Sequence, residues 1–267
     1  MAIGFIEDTT LNALGEAIRG KTGSTEKILP SDMPEAINSI KTGTDTSKIT
    51  DWMQFFLNNR RAEIVHEIDM SGALTCQNTF QASTAVTEIY QPNTSKCLSF
   101  MNVCYGCSNL VTATFDMSGA TNSANNAFYN CASLKEVHLN STKNIPVLAA
   151  MFRNCSSLET VTGLDFSSTT TTGNTSNIFV GTSKLRNCVI TGTFKLYGNF
   201  VMNESNDLTV ETMMSFINAF ADNTGGNTYT VTWGAVNLAK LTDEQIAIAT
   251  SKNITLAKRR INYGLDI

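Results

Sequence analysis

The pair Cys104-x-x-Cys107 is the one spacing in this 267-residue chain that invites metal or redox chemistry. Two thiols so placed could share a zinc ion, but a structural zinc needs four ligands and no second such pair follows. A thioredoxin-like role would require the pair at a helix start in a βαβ setting. There are two histidines, His66 and His138, and His138 lies two residues after Glu136. No spacing marks a Ser-His-Asp constellation. A phosphate-cradling Walker loop, a Gly-x-Gly-x-x-Gly turn and a His-Glu-x-x-His pair are all missing. No catalytic residue, cofactor or metal is therefore expected, and both cysteines read as packing residues.

That reading follows from the elements that must position them. A seven-residue pattern, aromatic-x-x-small-x-x-aliphatic, recurs as Phe80…Ser83…Val86, Cys104…Cys107…Leu110, Phe128…Cys131…Leu134, Phe152…Cys155…Leu158 and Phe179…Thr182…Leu185. The copies begin at 80, 104, 128, 152 and 179, so three spacings are 24 residues and the fourth is 27. The longer interval holds Gly163 and a Ser/Thr run, where an insertion adds little loop-closure entropy. After each copy, apolar residues alternate: Ile89; Ala113 and Phe115; Val137 and Leu139; Val161; Cys188 and Ile190. Period-two alternation predicts one short strand per copy, with these side chains on the inner face. Ile68-Asp-Met-Ser-Gly72 repeats the wording of Phe115-Asp-Met-Ser-Gly119 and extends the series backwards. Parallel stacking at about 4.8 Å makes a ribbon on the order of 25 Å wide over residues 64–190. No single turn buries its own apolar face, so stability must come from neighbouring turns.

The outward strand positions are then Glu88 and Tyr90, Thr112 and Thr114, Glu136 and His138, Thr160 and Thr162, followed by Asn187 and Val189. Tyr90 and His138 offer aromatic surface and the others mostly hydrogen bonds, as a sugar would need. Thr is also simply a good strand former, and a solvated face needs no ligand. Glu88 and Glu136 fall two turns apart, about 10 Å, near the upper range for an inverting glycosidase pair but with no cleft expected.

The phrases Phe128–Val137 and Phe152–Val161 resemble the BspA-like class of leucine-rich repeats, found on bacterial surfaces and in phage-encoded proteins. The resemblance covers roughly half of the chain and implies a leucine-rich-repeat solenoid of α/β class. Residues 1–41 read as two short helices, one carrying Leu11, Leu14, Ala17 and Ile18, the other starting near Pro30-Ser31-Asp32. Their phrases Ala17–Ser24 and Ile28–Met33 resemble a short module at the start of phage tail, fibre and baseplate-associated proteins. Such a segment is too small for its own core and implies docking onto other virion subunits. Residues 42–50 read as a linker. Residues 51–195 form the expected solenoid, with Asp51–Arg60 as a capping helix presenting Trp52, Phe55 and Phe56.

Residues 196–267 form a helix–strand cap. A helix is expected over Leu208–Ala221 with Thr209 as cap, a strand over Tyr229–Trp233, a helix over Leu241–Ser251 with Thr242 or Asp243 as cap, and a strand over Ile254–Ala257. Helix then strand, twice, suggests turns that extend the same sheet. The phrase Asn237–Thr250 resembles the C-terminal segment of phage-encoded repeat proteins.

Charged residues are 16% of the chain and its net charge is −4, so it has no basic footprint for nucleic acid. The short run Lys258-Arg259-Arg260 reads as a solvated tail, with an inter-subunit contact as the alternative. Residues 1–10 lack the features of a Sec signal, no stretch is long and apolar enough for membrane insertion, and the seven cysteines read as reduced thiols. The phage resemblances, with which the lack of a signal and the reduced cysteines agree, imply a virion protein assembled in host cytoplasm, a tail-fibre or receptor-binding component facing a host surface glycan or protein. Phage resemblance further implies a homo-oligomer, a trimer being usual for fibres, although no heptad pattern enforces one. A BspA-like adhesin on a bacterial cell surface is the alternative, and a glycan hydrolase the third.

Overall fold

The computed structural model describes residues 50–53, 56, 69–202 and 204–258. Among these the chain is α/β, with short parallel strands in two sheets and few helices. Strands β1 (Glu88–Gln91), β2 (Thr112–Phe115), β3 (Glu136–Leu139), β4 (Thr160–Thr162) and β5 (Asn187–Cys188) lie side by side in sequence order. Each pairs in parallel with the next and in register, so Ile89, Ala113, Val137, Val161 and Cys188 form one row. All five are buried, as period-two alternation expects.

Between strands the backbone alternates two kinds of hydrogen bond. The N–H groups of Val103, Tyr105 and Cys107 reach back three residues, to the carbonyls of Phe100, Asn102 and Cys104. Those of Asn102, Cys104 and Gly106 reach forward to Asn125, Ala127 and Tyr129 in the next copy. This alternation turns the chain through left-handed residues at two fixed places. Two residues before each motif start stand Asn78, Asn102, Asn126, Ala150 and Asn177; two residues after stand Ala82, Gly106, Asn130, Asn154 and Gly181, and all ten have positive φ. Gly and Asn visit this region most cheaply, which explains why they dominate both rows.

Inside, the motif residues stack. Phe128, Phe152 and Phe179 follow one another at 5.6 and 5.9 Å with nearly parallel rings, and Phe56 stacks on Phe80 at 5.1 Å. The series breaks at Cys104, where Phe115 lies against Phe100 and Phe128 instead. The small middle residue has a second use besides fitting. Cys107, Cys131 and Cys155 point their thiols at the carbonyls of Phe80, Cys104 and Phe128 in the preceding copy, and Ser83 does the same to Phe56. A small donor is required there, and Cys and Ser both qualify.

The longer fourth interval carries a 3₁₀ turn at Thr172–Thr175, at the end of its Ser/Thr run. Two expectations differ from the structure. The described part of 51–60 is not helical: the N–H groups of Trp52 and Phe56 bond to the carbonyls of Thr75 and Thr79, as in the later copies. Phe56 stands 24 residues before Phe80, so it takes the aromatic position of one more copy. Second, the C-terminal strands do not extend the first sheet. β6 (Phe200–Met202), β7 (Tyr229–Trp233) and β8 (Ile254–Lys258) form a second parallel sheet of their own.

Helix α1 (Val210–Ala219) explains that separation. It packs beside β5 and offers hydroxyls where a sixth strand would offer carbonyls. Cys188 N–H donates to Thr212 Oγ1 at 2.9 Å and Ile190 N–H to Ser215 Oγ at 3.1 Å, while Thr212 Oγ1 donates to the Arg186 carbonyl. An edge so satisfied has no bonds left for another strand. Helices α2 (Ala235–Leu238) and α3 (Asp243–Ser251) join β7 to β8. Thr209 caps α1 and Thr242 caps α3, the latter in a capping box with Gln245. Residues 1–41, most of the 42–50 linker, His66 and Arg259–Arg260 lie outside the described residues.

Candidate functional site

The outward residues of β1–β5 come together as two rows on one face. Glu88, Thr112, Glu136, Thr160 and Asn187 align across the strands, and so do Tyr90, Thr114, His138 and Thr162. The register forces this, because every copy contributes the same two positions between buried ones. Tyr90 is 54% exposed, the largest ring left open to solvent on this face. Val189 also faces outward, at the β5 edge.

One contact chain ties the rows together. His138 Nε2 is 3.5 Å from Glu136 Oε2, and His138 Nδ1 is 3.2 Å from Thr162 Oγ1 on the next strand. In outline this is an acid, an imidazole and a hydroxyl in sequence. The Glu136 and His138 side chains are 52% and 44% exposed, however, so water reaches the group from the open face. The contacts hold the imidazole upright between two strands, and the ring is presented rather than enclosed.

Beside His138, at the strand ends, lies a trough of about 330 Å³ lined by Pro92, Thr114, Asp116, His138 and Asn140, with Phe115 and Leu139 beneath. Asp116 is fixed there by a turn of its own, its Oδ1 accepting from Ser118 N–H at 3.0 Å. The same Asp-x-Ser turn recurs at Asp69 and Asp165. Asp116 and Asn140 were not singled out by strand alternation because they follow the strands. The repeated Asp-Met-Ser-Gly wording was the signal that located one of them.

The two rows are the candidate site; the Cys104-x-x-Cys107 pair is elsewhere, in the core. All seven cysteines are free and buried. Burial holds the Cys104 and Cys131 thiols well above the ordinary value, pushes Cys155 up to about 12 and raises Cys188 as well. Thiols so held stay protonated and unreactive at neutral pH. Among the described residues no helix is long and apolar enough to cross a membrane.

No protein-family model matches the chain, and no curated protein matches it.

Proposed function

We propose that the chain is a leucine-rich-repeat-like solenoid from a bacteriophage virion, a tail-fibre or receptor-binding component that displays the β1–β5 face to a host surface without catalysis. The observation that carries the reading is the pair of unbroken outward rows, one in register across five strands and the other across four, and mostly uncharged. A stacked repeat supplies a wide, rigid face of this kind, suited to an extended ligand. One strand per 24 residues, with backbone bonds passing from each copy to the next, supports the solenoid assignment. Residues 1–41 would attach this face to other virion subunits, by their resemblance to phage tail modules.

The test is binding of the purified chain to intact cells of candidate hosts, with and without residues 1–45. Binding that survives truncation, together with loss of particle attachment, is the expected result. Failure to bind any host fraction would sink the receptor role.

A further inference from the structure

We infer that the trough at the ends of β2 and β3 is a subsite for one pyranose unit of an uncharged glycan. The inference rests on the display reading and names its ligand class and place. The trough is bounded by hydrogen-bonding groups of both senses: Thr114 hydroxyl, Asp116 carboxylate, His138 imidazole and Asn140 amide. Among the described residues the side chains of Thr114 and Asn140 in the trough, and of Tyr90 on the adjoining strand outside its lining, make no hydrogen bond, and Asp116 commits only Oδ1. His138 is the opposite case, held in place by Glu136 and Thr162. The trough therefore combines a preset wall with several groups free to bind.

Adjacent hydroxyls of a pyranose match the two ends of a carboxylate or carboxamide, and Asp116 and Asn140 stand on neighbouring strand ends, following the paired Phe115 and Leu139. A sugar also presents an apolar C–H face. Tyr90, in register with Thr114 one strand away and largely exposed, supplies the ring for it. A volume of about 330 Å³ lies at the small end of ligand sites, suited to one residue of a longer chain rather than to a whole folded partner. A peptide would instead be expected to add as a strand at a sheet edge, whereas the trough lies on β2 and β3 inside the sheet.

The experiment uses His138, which lines the trough, as the reporter. The full chain, labelled with ¹³C at histidine, is titrated into the millimolar range with methyl glycosides of glucose, galactose, mannose, rhamnose and N-acetylglucosamine. A Gly-Ser-Gly tripeptide serves as the peptide probe. At least one glycoside is expected to shift the His138 signal saturably. Tyr90→Ala and Asn140→Ala should each weaken that binding about tenfold with melting unchanged, whereas Tyr197→Ala, in a different segment, should not. No glycoside shift, a shift untouched by both variants, or a response to the tripeptide alone overturns the subsite. Host-cell binding is read separately: cells bound without a glycoside shift would leave the display reading standing and remove only the subsite. A glycoside shift without cell binding would do the reverse.

Discussion

The two sheets solve the same problem with different connections. In β1–β5 each strand returns to the next through turns whose N–H groups alternate between their own copy and the following one. In β6–β8 the return runs through helices α1 to α3, which satisfy most of their own backbone bonds. The first solution depends on residues that tolerate positive φ and on room for close backbone approach. The second depends on caps and an amphipathic face. Parallel pairing alone thus says little about what holds a sheet together; the crossover decides which substitutions hurt. Trp52 lies at the start of the repeat region and Trp233 in β7, so single-tryptophan chains report the two regions separately.

The largest effect is expected at Gly163. Its φ is +80, and a Cβ there would stand 1.7 Å from the Leu139 carbonyl oxygen, in the neighbouring copy. Because the obstacle is backbone, Gly163→Ala should cost on the order of 4 kcal/mol or more. Urea unfolding followed at Trp52 would show it. If the Trp52 and Trp233 signals move together, the two regions unfold as one unit; if only Trp52 moves, the comparison above describes two cooperative units.

High pH sharpens the contrast, since no cysteine follows Cys188. In the folded chain burial keeps the thiols of Cys76, Cys104, Cys131, Cys155 and Cys188 protonated, Cys155 up to about 12, and these outnumber Cys107, which hydrogen bonds from Cys104 and Cys131 hold below its ordinary value. In the unfolded chain all ionise near the ordinary value of ~8.5. Their contribution is complete below that value and is lost as pH rises towards the folded one, roughly 1 kcal/mol per pH unit for each such thiol. The melting temperature reported by Trp52 should therefore fall steadily above about pH 9. An unchanged melting temperature up to pH 11 would contradict it.

Cys104 tests whether the copies can be made uniform. Phe128 meets Phe115 there, and Phe115 meets Phe100. Cys104→Phe, although it restores the repeat's own wording, should overpack this site and cost about 1–3 kcal/mol. In the helical region a comparable loss is smaller: Thr242→Ala removes the capping box of α3 and should cost about 1 kcal/mol, seen at Trp233. Equal losses at both sites would show that the repeat core is looser than its stacked rings suggest.

The repeat, its strands and its buried rows were legible in the sequence because apolar periodicity records burial. Thr209 and Thr242 were legible because caps have a local chemistry. What escaped had no apolar signature. The Asn and Gly residues two places either side of each motif start answer to φ rather than to burial. The edge of β5 is closed by Thr212 and Ser215, whose partners lie 24 and 25 residues away. Helix–strand alternation in the C-terminal region looked like a continuation, and only these hydroxyls show why it is not. The outward rows followed from alternation, whereas the trough did not, because Asp116 and Asn140 lie just beyond the strands.

The smallest effect expected is a gain, at the places where the positive-φ rows depart from Gly and Asn. Ala150 holds φ +51 in a row otherwise made of Asn78, Asn102, Asn126 and Asn177. An L-residue without a polar side chain pays about 1–2 kcal/mol for this conformation, and glycine does not. Glycine also enlarges the freedom of the unfolded chain, which takes back about 0.4–1 kcal/mol. Ala150→Gly should therefore stabilise the protein by about 0.5–1 kcal/mol, raising the urea midpoint at Trp52 with no change in slope. Ala249, in α3 of the second region, is the control: its backbone is helical, and Ala249→Gly should lose about 1 kcal/mol for propensity plus the packing of a buried methyl. Opposite signs for one and the same substitution are what the two kinds of crossover demand. A loss at both positions would mean that turn strain does not govern the repeat region.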